Sequence, residues 1–351
     1  MSNDGNVLGP LKGHHHETYA IPLAPENPLR PYFERGKYRE PRREQFRYDR
    51  QCFASEDQLL VALQGRISRI PGIAEVEGGF LLQGFIEGRT LGRGRLPSQA
   101  LSRLHTGQLA QLFGELVSVK GDEFDHLERV CGQASGSPNE FLDRLIEFTE
   151  KQVHLKDDGH YVPLFGALGV PEGALSAFRE RAGTLADRPF SLVHGDLHRA
   201  NFIVDLNGNL WTIDWELAMI GDPLYDLATH LHLMRYPARE ELRITDVWQA
   251  AVERARPGSS DGWQRDLPVL RAYKRAQSLF TDVIRTALTL GPGSEPDRQK
   301  LPLSAWRVRR ALALAAEPLG MGRVPTLRQV MTAYSEWFRT AGPAAASTVQ
   351  M

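Results

Sequence analysis

"SLVHGDLHRANFIVDLNGNLWTIDWE", residues 191–216, sets short apolar runs beside polar residues that a buried sheet does not need. Phe202 to Val204 and Leu210 to Ile213 read as two strands, and Asn207-Gly208 between them is the strongest short-range signal for a hairpin. With those two residues as the loop, Leu206 faces Asn209, Val204 faces Trp211, Phe202 faces Ile213, and Asn201 faces Asp214. Paired residues share a face of the sheet, with Cβ atoms roughly 4.5–5.5 Å apart. An amide oxygen and a carboxylate held that close can approach one hard cation such as Mg²⁺. Asp196, five residues before Asn201, then falls at the mouth of the same site.

Taken singly, an Asp or Asn at a strand end is usually a turn former or a cap. Here spacing adds to register. His194, Asp196 and Asn201 fit H-x-D-x-x-x-x-N, the pattern of a protein-kinase-type catalytic loop. In that loop the Asp receives the substrate hydroxyl proton and the Asn holds Mg²⁺. A further Asp after the next strand bridges the metal to the nucleotide phosphates, and Asp214 stands at that place.

Three linked stretches, "VHGDLHRANFIV" (193–204), "TIDWE" (212–216) and "GDPLYDLATH" (221–230), resemble the signatures of the aminoglycoside phosphotransferase and choline kinase family. The resemblance is dense over residues 191–230, weak before them, and reduced to helical character beyond 240. It implies an α+β, bilobal, protein-kinase-like fold with a small β-rich N-terminal lobe and a large helical C-terminal lobe. It also implies ATP, or another nucleoside triphosphate, as phosphate donor, Mg²⁺ as cofactor, and a small-molecule hydroxyl as acceptor. By position Asp196 corresponds to the catalytic base, Asn201 and Asp214 to the metal ligands, and Asp226 to a residue bracing the loop. His194 and His198 would hold that loop, although satisfied core histidines explain them equally well. Asp222-Pro223 also reads as a helix N-cap with proline at the first helical position, and Asp226 as a first-turn carboxylate favoured by the helix dipole.

The nucleotide end is less marked. Lys37 in "FERGKYREP" is the best candidate for a phosphate-binding lysine, with Glu56 in "SEDQLLVAL" as its partner. Arg35 and Arg39 share the face of Lys37 and could serve instead. There is no G-x-G-x-x-G; Gly9 and Gly13 flank the first turn, and "GHHHETY" stands where a flexible glycine loop would be. "LLQGFIEG" resembles the family's interlobe hinge, which makes the Gly84 carbonyl and the Ile86 N–H adenine contacts.

The rest of the chain agrees with this organisation. Residues 1–88 read as strand-rich with one helix, over "SEDQLLVALQGRI", where Ser55 can cap. "IAEVEGGFLLQGFIEG" suits a hairpin through Gly78-Gly79. Residues 89–340 carry leucines and aromatics at three- and four-residue spacing, the mark of helices, and 341–351 read as a flexible tail.

At 351 residues, 42% hydrophobic and with a formal charge of −1, the chain is an ordinary globular protein without the basic excess of a nucleic-acid binder. Residues 30–50 carry eight Lys/Arg, but four acids are interspersed, which suits a solvated loop better than a nucleic-acid patch. Cys52 and Cys131 are too few for a disulfide framework, and a reducing cytoplasm is the simplest home. No apolar run is long enough for a membrane span.

Two competing functions remain. A catalytically silent nucleotide-binding module would be expected to have lost one of Asp196, Asn201 or Asp214, and all are present. The run H-x-D-x-H at His194, Asp196 and His198 could belong to a metal hydrolase, though no matching cluster completes it. For the acceptor, residues 136–190 hold nine acids against six basic side chains, including Asp157-Asp158. Asp282, a carboxylate in the otherwise apolar "LFTDVIRTAL", must face a partner or a cleft. A solvated helical face explains the first count without any substrate; read as acceptor determinants, both observations favour an amine-bearing acceptor such as an aminoglycoside-like antibiotic, with amino alcohols and sugars as alternatives.

Overall fold

The computed structural model describes residues 7–12, 16–41, 50–76, 80–92, 100–129, 136–155 and 159–341. Gly13, the Gly78-Gly79 turn, residues 42–49 of the basic cluster, Cys131, Asp157, Asp158 and the tail from 342 lie outside the described residues.

Strands β1 (Leu8–Lys12), β2 (His16–Pro22) and β3 (Arg35–Pro41) form an antiparallel meander. With β4 (Ile73–Val76) and β5 (Phe80–Gly84) they make one five-stranded sheet in the order β1-β2-β3-β5-β4. Between β3 and β4 runs helix α1 (Glu56–Leu63), which starts where Ser55 Oγ accepts the Gln58 amide at 3.2 Å. Its Leu59, Leu60 and Leu63 are fully buried at three- and four-residue spacing, each contributing about 2 kcal/mol of transfer free energy. Among the described residues, both the strand-rich start and its single helix are as the sequence predicts.

The segment that decides the site comes next. Strand β6 (Gly88–Thr90) pairs with β8 (Phe202–Asp205), and β8 with β9 (Leu210–Thr212), as a three-stranded sheet. A second small sheet joins β7 (Ser191–Val193) to β10 (Met219–Gly221). Helix α2 (Arg103–Ser118) packs on β7, burying Leu109, Leu112, Phe113, Leu116 and Val117.

Helices account for most of what remains. They are α3 (Pro138–Phe148), which continues as a π-turn over Thr149–His154, α4 (Val162–Ala167) and α5 (Ala174–Ala182) before the small sheets. After them come α6 (Pro223–Met234), α7 (Ala238–Ala255), α8 (Trp263–Thr289), α9 (Leu301–Ala315) and α10 (Leu327–Thr340). Helix α6 differs from the others in being buried on every side, from Pro223 to Leu231. Any ionisable group it carries must therefore find partners inside the protein.

The chain divides into two compact units. One contains Met1–Phe46, Arg50–Pro138 and Asp187–Trp263; the other contains Arg47–Asp49, Asn139–Ala186 and Gln264–Met351. The β6–β8 ladder and the seat of α2 on β7 tie residues beyond 88 to the first unit. Cys52 is buried and disulfide-bonded, which weakens the inference from cysteine content to a reducing compartment. Among the described residues no helix is long and apolar enough to cross a membrane.

Candidate active site

The loop between β7 and β8 is held from below by α6. Asp222 caps that helix, its Oδ1 accepting the Leu224 amide at 3.0 Å, with Pro223 at the first helical position. Asp222 is itself fully buried and paired with the equally buried Arg188, Nη2 to Oδ2 at 2.6 Å. One turn further on, Asp226 accepts the His194 amide at 2.7 Å and the Gly195 amide at 2.8 Å, one on each carboxylate oxygen. Its charge is thus satisfied by two successive backbone donors. Gly195 has φ +80°, and a Cβ there would meet the Leu217 carbonyl oxygen at 2.7 Å. Only glycine fits that position.

Above this anchor the side chains of the loop close on one another. The His194 Nδ1 accepts the Asp196 amide at 3.3 Å, so its proton is on Nε2, which donates to the Ile213 carbonyl at 3.2 Å. Burial pushes His194 down to about 4, which keeps the ring neutral and this arrangement intact. With both nitrogens occupied, His194 has none to offer a metal, and the H-x-D-x-H hydrolase reading fails at its first residue. His198 Nδ1 accepts the Ala200 amide at 3.1 Å, and Nε2 faces Asp196 Oδ2 at 3.3 Å. Burial alone would lower the His198 pKa, but the hydrogen bond and charge of Asp196, with the charge of Asp214, raise it overall. The Asn201 amide donates both to the Asp196 carbonyl and to Asp196 Oδ2, each at 3.0 Å. That turns its oxygen, the end able to ligate a cation, away from Asp196.

The hairpin does not have the register that a two-residue loop gives. Phe202 pairs with Thr212, Ile203 with Trp211 and Val204 with Leu210, one residue short of the expected partners. Asn201 faces Ile213, whose amide donates to its carbonyl at 3.0 Å, and does not face Asp214. The reason is Asp205. Its carboxylate accepts the Asn207 amide at 2.9 Å, the Asn209 amide at 2.7 Å and Trp211 Nε1 at 2.8 Å. These bonds favour a three-residue loop, Leu206-Asn207-Gly208, with Gly208 at φ +84° in the left-handed position such loops require. Asp214 compensates by adopting φ +69° itself, just past the last ladder bond.

Glu56 and Lys37 also come into view here. Glu56 Oε1 accepts the Trp215 amide at 3.0 Å, so it holds the residue that follows Asp214. Trp215 is buried against the His194 ring, with centroids 4.7 Å apart. Lys37 lies on β3 between Ala20 of β2 and Gln83 of β5, while Arg35 is drawn to Glu87 at 3.5 Å. Gly84 ends β5 with its amide donating to the Gly72 carbonyl at 2.8 Å, and Ile86 is buried two residues on. Asp282 is half-buried on α8 in the other compact unit. Sequence reasoning missed Asp205, although "DLNGN" carries the Asx-turn signal, and His230, which lies one helical turn after Asp226 on the same face.

The model of the phosphotransferase enzyme family matches residues 39–273, about two thirds of the chain. The chain belongs to the phosphotransferase enzyme family. It is accordingly a phosphotransferase. No curated protein sequence matches it. Among solved structures, the ethanolamine kinase of Plasmodium vivax superposes with a TM-score of 0.50 at 11% identity, over 80% of this chain and 76% of that one. That likeness shows the kinase-like fold. A choline/ethanolamine kinase family protein from Mesorhizobium loti has a TM-score of 0.48 at 16% identity, over 95% and 93%. The macrolide 2'-phosphotransferase MphH of Brachybacterium faecium reaches 0.47 at 15%, over 90% and 91%. In this member of the phosphotransferase family His194 and Gly195 are bonded to Asp226, Asn201 to Asp196, and His194 to Ile213.

Proposed function

We propose that the chain transfers the terminal phosphoryl group of ATP, or of another nucleoside triphosphate, to a hydroxyl of an amine-bearing small molecule such as an aminoglycoside-like antibiotic. The observation that carries this reading is Asp196. It is a half-buried carboxylate on a loop fixed at both sides, with Asn201 and His198 hydrogen-bonded to its Oδ2. Those two bonds orient the carboxylate, the group placed to take the acceptor's hydroxyl proton.

Asn201 and Asp214 fit a Mg²⁺ ion by the chemistry of their donors. An amide oxygen and one carboxylate are hard ligands, and Mg²⁺ takes the remainder from water and phosphate. Among the described residues no three His, Cys, Asp or Glu side chains gather as a metal-ligand set, which speaks for such a sparse site over a zinc-type cage. When bound, Mg²⁺ would neutralise charge on the transferring phosphates. Lys37 would meet the phosphates, Glu56 would hold both the lysine and the segment of Asp214, and the Gly84 carbonyl and Ile86 N–H would meet adenine. His194, His198 and Asp226 keep the loop in place.

The amine on the acceptor is argued from Asp282 and from the acidic excess of residues 136–190. Arg179 pairs with Asp143 and Lys151 with Glu147 inside the segment, so its excess of three acids stands and falls partly on residues 157 and 158, outside the described residues. Asp282 therefore carries most of the argument, while Asp157 and Asp158 stand on sequence alone.

A coupled ADP-release screen over aminoglycosides, macrolides, choline, ethanolamine and neutral sugars, with and without Mg²⁺, tests the whole reading. Asp196→Asn should lower turnover by roughly a hundredfold or more, the usual share of a general base, with nucleotide affinity little changed. A variant keeping a tenth of the wild-type rate would remove Asp196 from that role. Preference for an uncharged sugar, unaffected by Asp282→Asn, would overturn the amine while leaving phosphoryl transfer standing.

A further inference from the structure

Helix α6 carries a second group aimed at the same loop. His230, one turn after Asp226, is fully buried, with Nδ1 2.9 Å from the Leu197 carbonyl and Nε2 3.0 Å from the Tyr236 hydroxyl. A carbonyl only accepts, so Nδ1 must carry the proton, and Nε2 then accepts from Tyr236. The hydrogen bonds fix the tautomer without any assumption about pH. Burial pushes the imidazole down to about 4, so it stays neutral, and burial holds the Tyr236 phenol above its ordinary value as a donor. Phe113 of α2 and Phe202 of β8 stand edge-on to the ring at 5.9 and 6.2 Å, which restricts its rotation. The circuit returns to the loop through Tyr236, whose ring lies 5.9 Å beneath the Arg199 guanidinium.

Asp226 fixes the amides of residues 194 and 195, and His230 fixes the carbonyl of 197. Asp196 is the residue between the two anchors. We propose that His230 is a positioning residue for phosphoryl transfer, holding Asp196 in place through the Leu197 carbonyl and kept in its working tautomer by Tyr236. This rests on the reading of Asp196 as the base. Leu197 is wholly buried, so no water can replace the imidazole as donor to its carbonyl, and loss of that bond would free the loop on the C-terminal side of Asp196.

The test compares two amides. His230→Asn puts an N–H where Nδ1 stands and keeps the donor to Leu197; His230→Gln puts its amide where Nε2 stands and loses it. Turnover of His230→Asn should stay within about threefold of wild type, and that of His230→Gln should fall roughly tenfold to a hundredfold, the scale of a misplaced catalytic group. KM for the nucleotide should be unchanged in both, and their melting temperatures alike. Equal activity of the two variants, or a loss carried by nucleotide KM, would overturn the inference. If neither variant folds, nitrogen-15 spectra of the wild-type imidazole decide: protonation at Nδ1 supports the inference, protonation at Nε2 overturns it. A wild-type protein with no Mg²⁺-dependent triphosphate turnover would instead overturn the proposed function, and this inference with it.

Discussion

Asp226 accepts the amides of His194 and Gly195 on separate oxygens, so one buried carboxylate sets two consecutive peptide planes of the loop that carries Asp196. Asp226→Asn keeps the shape but replaces one acceptor oxygen by an amide that must point its hydrogens at a donor. The cost should be about 2–3 kcal/mol of stability, the scale for hydrogen bonds to a charged group. Turnover should fall more steeply than nucleotide affinity, because the fault lies under Asp196. Denaturant melts and a nucleotide titration on the same sample check this; intact turnover would mean that the loop does not depend on its anchor.

The Asp205 carboxylate has the corresponding part in the hairpin. It accepts from Asn207, Asn209 and Trp211, and these bonds pull its pKa down against the opposing effect of partial burial. Asp205→Ala should cost about 1–2 kcal/mol. It should also raise the Mg²⁺ concentration needed for half-maximal turnover, since the loop sets where Asp214 emerges. Metal titration of activity measures the second effect. An unchanged titration would separate the loop from the metal site.

Asp196, Asn201 and Asp214 stand out in the sequence because the kinase-type pattern restricts which residue types can hold that spacing, and the structure joins Asn201 to Asp196 within one loop. The helices were legible because their buried leucines recur with the helical period. The hairpin register was not, because Asn207-Gly208 fits both a two-residue and a three-residue loop. The choice between them lies with a side chain three residues before the glycine, where hydrophobic pattern carries no information. The division into compact units was hidden for a different reason. It depends on β6 finding β8 across more than a hundred residues, with Gly88 opposite Asp205. His230 was hidden inside a helix buried on every side, where a histidine reads as one more core residue.

Two buried imidazoles make stability depend on acidity. His194 and His230 are held near 4 by burial, against an ordinary value of 6.5. As pH falls below 6.5 the unfolded chain binds protons that the folded one refuses, so stability is lost on acidification; above 6.5 neither histidine contributes. The loss should reach about 2 kcal/mol per histidine by pH 5, before most carboxylates titrate. His198, with a raised pKa, works in the opposite direction and offsets part of it. Thermal melts between pH 5 and 6.5 should therefore slope upward, and His194→Gln should flatten the slope by about half. A flat wild-type profile would place these rings in contact with water.

Asp214 combines two demands that can be separated by substitution. Its backbone is left-handed at φ +69°, a region that costs most L-residues about 1–2 kcal/mol but that Asn and Asp enter more readily. Its carboxylate is the one charged ligand proposed for Mg²⁺. Asp214→Asn should keep the backbone, and with it the melting temperature, while removing the ligand charge. Asp214→Ala should lose both, melting lower than the Asn variant by an amount matching about 1 kcal/mol. Asp214→Gly should recover the backbone but not the metal. The Mg²⁺ requirement should then rise by a similar factor in all three, at least roughly tenfold if the carboxylate is a ligand, while stability ranks Ala below the others. Should the metal requirement follow stability across the series, the role of Asp214 would be conformational, and the search for the metal's carboxylate would have to move elsewhere in the loop.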